Sequence, residues 1–141
     1  MVDCEDDFTC VFTKFVTWLE DRRLVPRNET TENEKQLNTF TFITCGDWDL
    51  NYMLPNQCAT SQIKLPKYFL QWINVKHSFA LSNNGNFPRS LSQMLSELGL
   101  SFEGRQHSGI DDVKNIVKIV KKLADEKCYV FENTRQMQIK K

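Results

Sequence analysis

Apolar residues recur at helical spacing in several stretches of the chain, and β-branched or aromatic residues cluster in two short ones. Phe8, Val11, Phe12, Phe15, Val16 and Leu19 form one stripe, which predicts an amphipathic helix over 7–22. Asp6 and Asp7 stand at its start, where carboxylates complement the positive end of the helix dipole. Residues 26–38 are polar almost throughout and predict a mobile surface loop. Thr39 to Cys45 is β-branched and aromatic and is closed by Gly46, which predicts a buried strand. Gly46-Asp47-Trp48-Asp49 then opens a helix expected to run to about Leu54 and to end at Pro55. Trp72 to Lys76 predicts a second buried strand, and Asn83-Asn84-Gly85-Asn86 a loop. Leu91, Met94, Leu95 and Leu98 share one face of a helix starting at Ser90 and capped by Gly99. Val113, Ile116, Val117, Val120, Leu123 and Ala124 mark a core-facing stripe on a further helix. Cys128-Tyr129-Val130-Phe131 is strand-like, and the chain ends in a polar, basic tail.

The resulting order, α-β-α-β-α-α, belongs to the α/β class. Two strands cannot cover the apolar stripes of four helices. The sheet is therefore expected to be incomplete, with its remainder supplied by a segment outside these residues or by a partner. Ten Phe and three Trp provide ample material for a core. Lys+Arg and Asp+Glu both number 18, so bulk charge gives no argument for nucleic acid, and any such role must rest on local patches. The five cysteines have neither zinc nor disulfide spacing and read as reduced thiols. With an acidic start unlike a targeting peptide and no membrane-spanning run, the expected location is cytoplasmic and/or nuclear, without a membrane. Asn28-Glu29-Thr30 then reads as a chance match to a glycosylation sequon.

One run gathers reactive side chains, glycines and a helix start: Gly104-Arg105-Gln106-His107-Ser108-Gly109-Ile110-Asp111-Asp112. A second acidic residue, Asp49, is expected just past the end of a strand, where α/β sheets collect ligands. Carboxylates so held suit Mg²⁺ or Mn²⁺, which prefer oxygen ligands. A histidine, with an ordinary pKa of about 6.5, accepts a proton near neutral pH. Together they suit two-metal phosphodiester hydrolysis. Spacing alone leaves the bland reading open, because Asp111 and Asp112 are also good helix-capping residues.

The run Gly-Arg-Gln-His107-Ser-Gly-Ile-Asp-Asp112-Val-Lys-Asn115 resembles the third motif of the DEDDh 3′–5′ exonucleases, specifically the Eri-type exoribonucleases. Thr44-Cys45-Gly46-Asp47-Trp48-Asp49-Leu50 resembles the second motif of that family. Trp72-Ile73-Asn74-Val75-Lys76 and the Leu91–Gly104 stretch match in order and spacing. The resemblance covers about residues 1–128, with 129–141 left as a tail. It implies a partial RNase H-like exonuclease fold that lacks the first strands of the central sheet. It also implies an Mg²⁺ (or Mn²⁺) two-ion site in the complete domain, with Asp49 and Asp112 as metal ligands and His107 as general base. Asp111 is then a helix cap or a residue behind the ligands. Trp48, Lys76 and Arg105 are candidate contacts to RNA 3′ ends, single-stranded or with a short overhang.

The family's first motif, an Asp-x-Glu on an apolar central strand, has no convincing counterpart. Asp3-Cys4-Glu5 has the letters but sits in an acidic, polar stretch leading into a helix. The chain is thus expected to be an N-terminally truncated form. Two functions follow: a 3′–5′ exoribonuclease by resemblance, whose activity in this chain is in question, or a non-catalytic RNA- or protein-binding module derived from the same fold.

Overall fold

Asp7 turns the chain into its first helix. Its carboxylate accepts the backbone N–H of Cys10 at 2.8 Å, and α1 runs Phe8–Asp21, as the apolar spacing predicts. The structure, a computed structural model, describes residues 7–27, 40–127, 129, 131–133 and 135–136. Most of the expected loop at 26–38, the Asp3-Cys4-Glu5 run, Cys128 and Val130 lie outside the described residues. The described chain falls into two units, one within 7–42 and 48–71, the other within 43–47 and 72–136.

The first unit is built on α1 and an aromatic cluster. Phe12 and Leu19 are buried, Phe12 meets Phe69 with ring centroids 5.6 Å apart, and Phe42 stacks on Phe69 at 4.8 Å. Another line of α1 is open: Val11, Phe15 and Trp18 are 51%, 39% and 47% exposed. The helix expected to end at Pro55 does not stop there. Asp49–Met53 winds wider than an α-helix, Leu54 donates its N–H to the Asp49 carbonyl, and α2 continues over Leu54–Thr60. Pro55 falls in the first turn of α2, where its missing N–H is tolerated, and the wider turn ahead of it relieves the proline clash. A short 3₁₀ turn, Lys67–Phe69, buries Tyr68 and Phe69.

The sheet has the order β1-β2-β3, with β1 Phe42–Thr44, β2 Gln71–Asn74 and β3 Arg135–Gln136. β1 is shorter than the expected 39–45. β2 ends at Asn74 instead of Lys76, because the Asn74 side chain accepts the Lys76 N–H at 3.1 Å and starts α3, Val75–Ser82. The hydrophobic pattern did not predict α3: β-branched Val75 reads as a continuation of the strand, yet Val75 and Phe79 are buried on one helical face. A third strand lies at Arg135–Gln136, within the expected tail, and the described Tyr129 and Phe131 of the strand-like run are in no strand.

The core of the second unit joins Val75 and Phe79 of α3, Met94, Leu95 and Leu98, and Ile119 and Leu123. α4 spans Leu91–Glu97 and is N-capped by Ser90. It closes on Gly99 at φ 68, with Leu100 N–H donating to the Leu95 carbonyl at 2.8 Å and Gly99 N–H to Ser96 at 3.0 Å. α5 runs Gly109–Lys127. Its buried side is narrower than the predicted stripe and centres on Asn115, Ile119 and Leu123. Ile110, Val113 and Val117 are 63%, 53% and 45% exposed, and Ala124 also faces solvent. Helices in both units thus keep an uncovered apolar line, in keeping with a sheet too small for its helices. No helix among the described residues is long and apolar enough to cross a membrane.

Candidate active site

The third-motif loop is assembled from α5 backwards. Asn115 is fully buried on α5, one turn beyond Asp112. Its Oδ1 accepts the Glu103 N–H at 3.0 Å, and its Nδ2 donates to the Glu103 carbonyl at 2.8 Å and to the Asp111 carbonyl at 2.8 Å. Lys118 adds Nζ bonds to the Ser101 carbonyl and to Glu103 Oε1, both at 2.8 Å. Gly104 follows at φ 88, and a Cβ there would stand 2.5 Å from Asp111 Cγ. At that distance any side chain at 104 would push the Asp111 carboxylate off the loop, and the positive φ adds its own strain. Asp111 Oδ2 accepts the Arg105 N–H at 3.1 Å. The residue expected as a helix cap or behind the ligands thus sits inside the first turn of α5 with its carboxylate turned onto the loop. The Arg105 N–H, followed by the Ser108 side chain and Lys114, holds its carboxyl below the ordinary value of 3.8, against a smaller opposing effect of burial.

His107 stands at the tip of this clamped loop. Ser108 N–H donates to the Arg105 carbonyl at 3.2 Å, which makes 105–108 a tight turn. His107 occupies the third position of that turn at φ 64, where glycine or asparagine is usual. A non-glycine residue there costs about 1–2 kcal/mol, and such strain is concentrated at functional sites. The imidazole is exposed. Asp112 follows on α5, half-buried, with its N–H donated to the Ser108 carbonyl at 2.9 Å. His107, Asp111 and Asp112 therefore share the second unit, whereas Asp49 belongs to the first.

The second-motif segment uses the same kind of lock. Gly46, at φ 123, donates its N–H to the buried Asn74 Oδ1 at 3.1 Å. The indole of buried Trp72 donates to Asp47 Oδ1 at 2.9 Å. Asp47 is thereby engaged in structure, and Asp49, exposed at the start of the wide turn, is the carboxylate that faces solvent. Trp48 is 63% exposed and lies against Tyr52 with centroids 5.1 Å apart. Of the other candidate contacts, Lys76 Nζ donates to the Arg89 carbonyl at 3.0 Å, and Arg105 is exposed. Sequence reasoning gave no role to Trp72, Asn74 or Asn115. The available signal for Asn115 was a polar residue in register with Ile119 and Leu123 on an apolar helix face.

A family model described as Exonuclease matches residues 1–120. The chain belongs to this exonuclease family. It is 36% identical over 119 residues to an exonuclease domain-containing protein of Arabidopsis thaliana, covering 84% of this chain and 34% of that protein. It is 37% identical over 135 residues to ERI1 exoribonuclease 3 of Homo sapiens, covering 95% of this chain and 37% of that one. The chain thus spans about a third of the length of the curated relatives it matches. Among solved structures it is similar to the nuclease domain of 3'hExo, a DEDDh family member bound to rAMP, with a TM-score of 0.79 and 29% identity. That match covers 96% of this chain and 63% of that domain. The α/β architecture is accordingly part of a DEDDh nuclease fold, and the resemblance on the GDWD, WINVK and HSGIDD runs is borne out at the level of the family.

The family uses divalent metal ions, and exposed or half-buried carboxylates are the right donors for a hard cation. Among the described residues, however, no group of three or more His, Cys, Asp or Glu converges to hold one. Asp49 and Asp112 fit such an ion in chemistry but do not by themselves make up its site.

Proposed function

We propose that this chain serves 3′–5′ exonucleolytic trimming of RNA. Asp49 and Asp112 would offer carboxylate oxygens to Mg²⁺ or Mn²⁺, which would supply charge neutralisation at the phosphate. His107 accepts the proton of the attacking water. One observation carries the reading: His107 is held exposed and in a strained left-handed conformation, on a loop clamped to the helix that bears Asp112. Related proteins named as 3′–5′ exoribonucleases, 34% identical in Rattus norvegicus, support RNA as the substrate class. The exposed Trp48 ring is suited to stack on a base, and Arg105 and Lys76 to meet phosphates. The test is purified chain with Mg²⁺ or Mn²⁺ and a 5′-labelled single-stranded RNA. Stepwise shortening from the 3′ end, lost in Asp49→Ala and His107→Ala, supports the proposal. Shortening that survives both substitutions assigns the activity elsewhere.

A second reading is favoured by the open apolar lines at Val11, Phe15 and Trp18 and at Ile110, Val113 and Val117, with β1 at an edge of the sheet formed by the described residues. Here the fold acts as a binding module, and a protein segment completes the sheet. Salt-dependent RNA binding or a stable protein complex, without any shortening of RNA, would favour this reading over the first.

A further inference from the structure

We infer that Asn115 is the positioning residue for His107, its one side-chain amide fixing both the histidine loop and the peptide of Asp112. The inference rests on the reading of His107 as the base. Asn115 engages Glu103 through both backbone groups, accepting from its N–H at 3.0 Å and donating to its carbonyl at 2.8 Å. A pair of opposed bonds of this kind fixes the loop as a neighbouring strand would, in translation and in tilt. The same Nδ2 donates to the Asp111 carbonyl, which belongs to the peptide bond leading into Asp112. One amide therefore joins the start of the histidine loop to the backbone of Asp112.

A packing role alone does not account for the residue. Asn115 is in register with Ile119 and Leu123, all fully buried, and a leucine would fill this place at no polar cost. A buried amide is retained where backbone groups need it, because leaving them unpaired costs more than the apolar alternative gains. The Glu103 N–H and carbonyl are those groups. Downstream of them, Gly104 lies against Asp111, and Arg105 N–H is held by the same carboxylate. Only the Gln106–His107 tip then lies between the anchor and the Ser108 bond that closes the turn. The backbone leading to His107 thus starts from Glu103, which Asn115 sets, while Gln106 Nε2 donates to Ser92 Oγ at 3.3 Å beside it.

The experiment compares the full chain with Asn115→Asp, which keeps volume and the acceptor but removes the donor, and with Asn115→Leu, which keeps only packing. The first readout is by nuclear magnetic resonance and needs no activity. Asn115→Leu is expected to lose exchange protection at Glu103 and, through the loosened loop, at Arg105, whereas Asn115→Asp keeps the acceptor for the Glu103 N–H and loses only the bonds to the Glu103 and Asp111 carbonyls. In both, the His107 backbone signals should move from positive-φ values toward averaged ones. The methyl signals of Ile119 and Leu123 should stay in place in Asn115→Leu. If His107 keeps its positive-φ signature in both variants, or if those methyls shift as far as His107 does, the inference is overturned.

The second readout is RNA shortening. Asn115→Asp should lower kcat about 10–100-fold with KM unchanged and should displace the acidic limb of the kcat–pH profile. An unchanged kcat and limb in Asn115→Asp would overturn the positioning role. A wild-type chain that shortens no RNA counts against the proposed function, and the resonance readout then decides the role of Asn115 by itself.

Discussion

Gly46 and Gly104 both take positive φ, at 123° and 88°, and each opens a loop that leads to a candidate ligand carboxylate, the exposed Asp49 or the half-buried Asp112. In each loop the first acidic residue is engaged by structure. Asp47 accepts the Trp72 indole N–H, and Asp111 accepts the Arg105 backbone N–H. In each, a buried asparagine from another part of the chain holds the backbone: Asn74 grips Gly46, and Asn115 grips Glu103. The difference lies in the tightness of the lock. A Cβ on Gly46 would meet nothing within 4 Å, whereas one on Gly104 would collide with Asp111. Asn74 Oδ1 accepts from Gly46 and from Lys76 at the start of α3, whereas Asn115 takes both backbone groups of Glu103. The loop that carries a candidate base is fixed by shape as well as by hydrogen bonds, while the loop before Asp49 relies on hydrogen bonds and on glycine's conformational freedom.

The sharpest way to break this contrast is to add one methyl group to each loop. Gly104→Ala combines a positive φ with a steric overlap and is expected to cost about 3–4 kcal/mol in urea unfolding. Gly46→Ala meets no neighbour but takes a φ of 123 that is essentially restricted to glycine, and is expected to cost about 1–3 kcal/mol. Equal losses would remove the distinction between the loops. Between these two falls Asn115→Ala, which leaves the Glu103 groups unpaired and opens a small cavity, for a loss of about 2–3 kcal/mol in the same measurement.

Asp111 distinguishes the loops by pH. Its folded carboxyl lies below the ordinary value of 3.8, chiefly because it accepts the Arg105 N–H. A lowered folded value means stability that is fully present above about 3.8 and is lost as pH falls through the lower folded value. Asp111→Asn should therefore flatten the stability–pH curve in that acidic window and lower stability at neutral pH. Acid titrations of unfolding that superimpose for the two proteins would remove Asp111 from the lock. The smallest effect is expected at the tip of the loop. His107→Gly relieves a left-handed residue and should change stability by no more than about 1 kcal/mol, in the stabilising direction, while removing the imidazole. A thermal melt that instead shows a large loss would mean that His107 serves the fold.

Much of the fold was legible because helical periodicity reports burial directly. α1, with its Asp7 cap, and α4, with Gly99, lie close to where the spacing puts them. α3 was not legible, since Val75 suits a strand as well as a helix and the switch depends on the Asn74 side chain reaching the Lys76 N–H. Pro55 misled for a similar reason, as a proline in the first turn of a helix and one that ends a helix look alike in one dimension. On α5 the periodicity gave the helix but not the width of its buried face, because Val113 and Val117 are apolar whether or not anything covers them.

The candidate residues His107, Asp49, Asp111 and Asp112 stand out by their order and neighbours, and the exonuclease family was readable from the same runs. The resemblance already put Asp49 and Asp112 forward and left Asp111 as a cap or a residue behind them; tertiary structure shows what engages Asp47 and Asp111. Whether Asp47 or Asp49, and Asp111 or Asp112, is taken up by the fold depends on an indole 25 residues away and on a backbone N–H across a turn. The roles of Asn74 and Asn115 were hidden for the same reason. A side-chain amide declares its partners only when the chain has folded back to bring them within hydrogen-bonding distance.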